Sequence, residues 1–264
     1  MTAEQRSVHA QDITWPDYMQ RLAEGAVVFL PVGSCEQHGP GMPLGTDVYI
    51  PQGICERLAK NIDGVVMPPF AYGYKSQVQS GGGQSFPGTT SLSGATLTGL
   101  THDVMEELFR HGAKRICIFN GHGENSMFVT EGIDLALKHA SKPLPRVVIL
   151  RAHKFVRTET LDSVYRGRFK TWDQEHAGLY ETALMMALQP QLVLADKLAP
   201  DKAERLPGYE VHPATDDMIA KSGVLSSPVG ATAEMGEMFL SDIVRGALGV
   251  LRTEFALDEG PMKN

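Results

Sequence analysis

Three carboxylates and two imidazoles stand in two Gly-rich stretches of this chain. Glu36 and His38 lie in Ser34-Cys35-Glu36-Gln37-His38-Gly39, and Asp47 follows shortly after. His122 and Glu124 lie in Asn120-Gly121-His122-Gly123-Glu124-Asn125. Imidazole and carboxylate together suit divalent transition ions. A single Asp can give one oxygen to each of two such ions, the arrangement of a dinuclear hydrolytic centre. The five side chains therefore form a candidate shell for a pair of divalent metals. Gly39, Gly41, Gly45, Gly121 and Gly123 allow the tight turns that would aim them inward. A third polar cluster, Trp172-Asp173-Gln174-Glu175-His176, precedes an apolar stretch.

Other chemistries fit these residues less well. The chain has no G-x-S-x-G elbow, no phosphate-binding Walker loop and no H-E-x-x-H. His122 and Glu124 have the H-x-E spacing of zinc deaminases, but the accompanying P-C-x-x-C is missing. Cys35 beside Glu36 has no sequence feature that would activate a thiolate. His9, His102, His111, His139 and His212 stand in polar or helix-end contexts and read as solvated.

Short apolar runs alternate with helical periodicity, which is how such loops come to be positioned. The strands expected are 26–31, 65–67, 116–119 and 147–150. The helices expected are 48–62, 96–111, 125–139, 177–188 and 231–257, the second of them stopped by Gly112. Strands buried on both faces and separated by helices imply βαβ units, hence an α/β fold with a mostly parallel sheet. In such sheets ligand groups collect in the loops after the strands, where the first two clusters fall. Ser76 to Gly88 reads as a long loop, a kind more often functional than idle. The stretch 199–228 is Pro-rich and irregular.

Composition bounds the remainder. The chain has 264 residues, 42% apolar and 21% charged, which is ordinary for a globular protein and ample for a core. Lys plus Arg is 24 against 31 Asp plus Glu, a formal charge of −7. That balance, with no basic cluster, argues against a nucleic-acid partner. No apolar run approaches the ~18 residues of a membrane span, and the polar N-terminal stretch lacks the core of a signal peptide. Three cysteines with no C-x-x-C pair fit a reducing cytoplasm, and Cys55 and Cys117 sit in apolar runs as buried hydrophobes.

Taken together, the motifs resemble one family. Glu36-Gln37-His38-Gly39-Pro40, Pro43-Leu44-Gly45-Thr46-Asp47, Asn120 through Asn125, Glu175-His176-Ala177-Gly178 and Glu181-Thr182 are similar to those of the creatininase (creatinine amidohydrolase) family. Tyr72-Gly73-Tyr74-Lys75-Ser76, Ser80-Gly81-Gly82-Gly83 and Phe86 through Leu92 resemble the true creatininases in particular. The likeness runs from about Ile13 to about Phe255 and implies a single αβα domain over 1–264, assembled as a hexamer. It implies one ion, manganese or zinc, on Glu36 and His122. A second, usually zinc, would sit on His38 and Glu124, with Asp47 between the two. Ser80, Trp172, Asp173 and His176 match positions that line or close on a small-molecule substrate.

The activity implied is hydrolysis of a C–N bond in a small cyclic amide, creatinine to creatine, by a hydroxide bridging the metals. His176 is the residue expected to hand a proton to the leaving nitrogen. Trp172 would shield the site, and Glu181 would support it from behind. True creatininases carry an aromatic residue where this chain has Gly123 and a Trp near the position of His153. The substrate is therefore open at this stage. The same centre could serve an N-formyl amide of a cofactor precursor, a peptide of a redox-cofactor pathway or an oxidised inositol. A non-catalytic metal-binding assembly protein is the remaining alternative.

Overall fold

The computed structural model describes residues 7–201, 205, 208–209 and 211–258, with the side chain of Gln79 excepted. The polar residues 1–6, the C-terminal 259–264 and parts of the irregular stretch 199–228 lie outside the described residues. Among the described residues, four strands and seven α-helices follow one another as α1 (Trp15–Glu24), β1 (Val27–Val32), α2 (Thr46–Asn61), β2 (Gly64–Val66), α3 (Gly94–Arg110), β3 (Arg115–Asn120), α4 (Ser126–His139), β4 (Arg146–Leu150), α5 (Thr158–Tyr165), α6 (Leu179–Leu188) and α7 (Ala233–Phe255).

All strand pairs are parallel, in the order β2-β1-β3-β4. Alternate residues of each strand face opposite sides, and both sides are covered. Val27, Phe29, Cys117 and Phe119 pack with α2, α6 and α7. Val28, Leu30, Val32, Ile116 and Ile118 pack with α3 and α4. The result is the αβα layering expected, with Cys55 and Cys117 fully buried as small hydrophobes. Gly112 ends α3 at φ +87°, the left-handed turn its position suggested.

Two helices were not expected, α1 and α5. The first carries its own signals: Thr14 caps it by accepting from the Asp17 N–H, Pro16 sits in its first turn, and Gly25 closes it at φ +93°. The second is only eight residues long, too short to show a clear period. It is fixed by a tertiary contact instead. Asp242 of α7 accepts from the Arg157 backbone N–H (3.2 Å), the Arg157 Nε (2.7 Å) and the Thr160 hydroxyl (2.5 Å).

The strand order reverses between β1 and β3: from β1 the chain passes to β2 on one side, from β3 to β4 on the other. The crevice beyond the carboxyl ends of this strand pair is where parallel α/β sheets bind ligands.

Candidate metal centre and cavity

The loop from β1 to α2 brings Glu36 and His38 to that crevice, and the first turn of α2 brings Asp47. The helix starts at Thr46, two residues before the apolar periodicity does, so Asp47 lies where backbone N–H groups favour a carboxylate. Pro51, inside the same helix, has no N–H to donate to the Asp47 carbonyl. That carbonyl instead packs against Gly33 and Gly121, where a Cβ would come within 2.4 Å of it. Close approach of α2 to the ends of both strands is thus what these two glycines permit. Of the loop glycines expected to turn the chain, only Gly39 adopts positive φ.

The loop after β3 supplies His122, Gly123 and Glu124. His122, Glu36 and Asp47 form one compact group: His122 Nδ1 lies 3.0 Å from Glu36 Oε2 and 3.1 Å from Asp47 Oδ2. His122 Nε2 is tied to the Tyr74 carbonyl at 3.0 Å. His38 is built the same way. Its Nδ1 is tied to the Glu36 carbonyl at 3.1 Å, and its Nε2 lies 3.2 Å from Asp47 Oδ1. A ring nitrogen that donates to a carbonyl leaves the other nitrogen with a lone pair, the tautomer a metal requires.

The carboxylate that completes the surroundings of His38 is Glu181 of α6, at 3.6 Å, and His176 joins the same group. Glu124 lies on the far side of His122, 3.5 Å from its Nε2, accepting from Ser80 Oγ and from the Gln77 N–H (3.2 Å). Glu124, expected with His38, has its imidazole contact with His122 here, and Glu181 is the glutamate beside His38. Glu181, expected to support the site from behind, stands on an apolar helix whose sequence gives no sign of which face meets the crevice.

Glu36, His38 and Asp47 are almost wholly buried, yet among the described residues Glu36 Oε1, His38 Nε2 and Asp47 Oδ2 make no aligned hydrogen bond, the last two having only the ion-pair contacts given above. Buried polar atoms left this way are costly, and buried charge needs compensation. Burial opposes ionisation of Asp47, but His38 and His122 outweigh it and hold its carboxyl well below the usual range. Burial likewise opposes protonation of His38, and Asp47 outweighs it, raising the ring to about 10. Glu181 goes the other way: burial, only partly offset by His38, pushes it up to about 8. Anions crowded around these two imidazoles favour a positive charge at each, a proton or, in its place, a metal ion at both His122 and His38.

His176 contacts both of these groups. Its Nε2 is 3.0 Å from the Gln37 carbonyl and from Gln37 Nε2, and 3.9 Å from Glu36 Oε1. Burial, followed by the neighbouring His38, lowers its pKa, so the ring is neutral. Gln37, which sequence reading passed over, is a buried clamp. Its amide donates to the carbonyls of Gly81 and Gly223 and its oxygen accepts from the Gly39 N–H. Glu175 is a second clamp: it accepts from Tyr165 Oη (2.6 Å), Ser226 Oγ (2.9 Å) and the Tyr180 N–H (3.3 Å).

These side chains form the floor of a cavity of about 920 Å³. Ser80, Gly123, His153, Trp172, Asp173 and His176, all expected near substrate, line it. Trp172 packs edge-on against Tyr180 and Phe169 and has the His153 ring 5.4 Å away. Such a wall excludes water from one side of the candidate metal ligands.

Comparison with known proteins identifies the relatives of the chain. The family described as creatinine amidohydrolase matches residues 11–251. A creatinine amidohydrolase of Pseudomonas putida is 45% identical over 255 residues, covering 95% of this chain and 98% of that protein. Two solved creatininase structures superpose closely. One is a mutant of Zn-Zn type with a TM-score of 0.92, the other a Mn form with 0.91. Each is 44% identical and covers 96% of this chain and all of its own.

Proposed function

The chain belongs to the creatininase family, and from that premise we propose that it is a dinuclear metal hydrolase opening a small cyclic amide at its C–N bond, creatinine among its substrates. The observation that carries this reading is Asp47, whose two oxygens reach two imidazoles, each with its other nitrogen tied to a backbone carbonyl. One ion would be held by Glu36, Asp47 and His122, the other by His38, Asp47 and Glu181. Zinc and manganese suit this oxygen and imidazole set. When bound, such ions polarise a carbonyl oxygen and acidify water at neutral pH.

The protein's own side chains do the rest. Trp172 and His153 wall the ring of the substrate and exclude solvent. His176, neutral at the outset and fixed by Gln37, accepts the proton that the attacking water gives up and returns it to the leaving nitrogen. Ser80 fixes the Glu124 carboxylate at the cavity wall, where it orients a polar group of the reacting system. Asp173, at the mouth, offers an acceptor to the substrate's N–H groups. Electrostatic stabilisation of the tetrahedral oxyanion is the largest contribution such a site makes.

The same reading takes the protein as one domain and as a cytoplasmic homohexamer. All three cysteines are free, as in a reducing compartment. Trp15 and Met127, 79% and 74% exposed, are surface of the sort that copies of a chain bury against one another. Light scattering of the purified protein reads the assembly.

The test of function is direct. Protein reloaded with Zn or Mn is assayed for conversion of creatinine to creatine, alongside chelated protein. Turnover that depends on metal supports the reading. Turnover of the same size in chelator, or none by any reloaded form, rejects it.

A further inference from the structure

The mouth of the cavity carries charge that the metal ligands do not use. Arg151 and Lys154, in the segment after β4, and Lys170, just before Trp172, all line it and are all exposed. Among the described residues none of the three forms an ion pair or a side-chain hydrogen bond. They share the rim with one exposed carboxylate, Asp173, while the other acids of the cavity are less exposed and lie deeper. Cations left unpaired at the entrance of a catalytic cavity raise the local concentration of anions there.

Two further features shape this rim. His153 lies next to Lys154 in the chain with its ring 5.4 Å from that of Trp172; burial first, then Lys154 and Arg151, push it down to about 4. At neutral pH it is an uncharged ring that both donates and accepts. On the opposite loop, a Cβ built at Gly123 would meet nothing within 4 Å. The wall is open there because the residue is glycine, and the cavity is several times the size of a bare five-membered ring.

We propose that Arg151, Lys154 and Lys170 form an anion subsite, and that the preferred substrate is a cyclic amide bearing a carboxylate on the side of the ring away from the scissile carbonyl. The inference rests on the hydrolase reading above and refines its substrate class. The reaction balances with water alone: its OH goes to the acyl carbon, its hydrogen to the leaving nitrogen, and the ring opens to a second carboxylate. An uncharged ring such as creatinine draws nothing from the three cations. An anionic one gains about two- to fivefold from each exposed contact.

A matched pair of rings tests this. Dihydroorotate and dihydrouracil are the same cyclic amide with and without a carboxylate. Values of kcat/KM for both, with creatinine as reference, are measured on metal-loaded protein at low and high salt. Calorimetry of dihydroorotate binding is run in parallel. Dihydroorotate should be favoured over dihydrouracil by roughly tenfold at low salt, less at high salt. In the triple variant Arg151→Met, Lys154→Met, Lys170→Met the preference should fall toward one, through KM rather than kcat. The corresponding Lys154→Arg, Lys170→Arg variant should keep it. Creatinine turnover without any preference for dihydroorotate overturns the subsite and leaves the hydrolase reading standing. If no ring is opened, the hydrolase reading fails and calorimetry decides the subsite. Binding of dihydroorotate that the Met variant weakens supports it, and absent or unaltered binding overturns it.

Discussion

Asp47 offers one carboxylate oxygen to each of two imidazoles, Oδ1 at 3.2 Å from His38 Nε2 and Oδ2 at 3.1 Å from His122 Nδ1. Among the described residues no other side chain links His38 to His122 in this way, and the close approach of the first turn of α2 to Gly33 and Gly121 is what puts Asp47 there. Asp47→Ala therefore removes the shared ligand. Creatinine turnover is expected to vanish, and atomic absorption should find fewer than two ions per chain. Retention of both ions would refute the bridging assignment.

Glu181 and Glu124 separate in the same assay. Glu181 neighbours His38, whereas Glu124 neighbours His122 and Ser80. Glu181→Gln is expected to deplete the His38 ion and leave the one on Glu36, Asp47 and His122. Metal content near one per chain, with activity recovered in part at high zinc, is the expected outcome. Two tightly held ions in the variant would return Glu181 to a supporting role.

Gly223 and Gly81 carry the position of His176. Gly223 has φ +81°, and a Cβ there would meet Gln37 Oε1 at 1.9 Å. Gly81 has φ +119°, and its Cβ would meet His176 Cδ2 at 2.3 Å. Either substitution by Ala strains the backbone by about 1–3 kcal/mol and displaces the imidazole or its clamp. A shift of ~1 Å at a catalytic group can cost ~100-fold in rate. Both variants should lose one to two orders of magnitude in kcat while keeping their metal, as read by steady-state kinetics beside atomic absorption. Loss of metal in step with activity would place the damage elsewhere.

The sequence revealed this architecture unevenly, for physical reasons. Strands such as Val27–Val32 and Arg115–Asn120 are buried on both faces, so they read as continuous apolar runs. Glu36, His38, Asp47, His122 and Glu124 were legible because each sits in a loop or first turn directly after a strand. Glu181 was not, since its neighbours on α6 are apolar and period alone does not tell which helix face meets a crevice. Gln37 was hidden for another reason: its importance lies in bonds to Gly81, Gly223 and Gly39, and two of those partners are remote in sequence. The unpaired state of Arg151, Lys154 and Lys170 is likewise a tertiary fact. Helix α5 was missed because Asp242, far along the chain, supplies what its own residues do not.

Asp242 also links acid stability to the substrate cavity. Burial works against its ionisation, but the Thr160 hydroxyl and the Arg157 side chain and backbone outweigh it and hold its pKa below the usual value. A depressed carboxylate pKa contributes stability that is present above the unfolded value, ~3.9, and lost as pH falls through the folded one. The Arg157 side chain is half exposed, so screening reduces its share. Asp242→Asn should cost about 1–3 kcal/mol at neutral pH, chiefly through the lost charge-assisted bonds. The gap between native protein and variant should narrow as denaturation is repeated from pH 6 toward pH 3. At the other end of α5, Tyr165 donates to Glu175, which anchors the segment bearing Trp172 and His176. Loosening α5 should therefore raise KM for the cyclic amide more than it changes metal content. A variant with unchanged melting, or a gap that widens on acidification, would contradict the assignment.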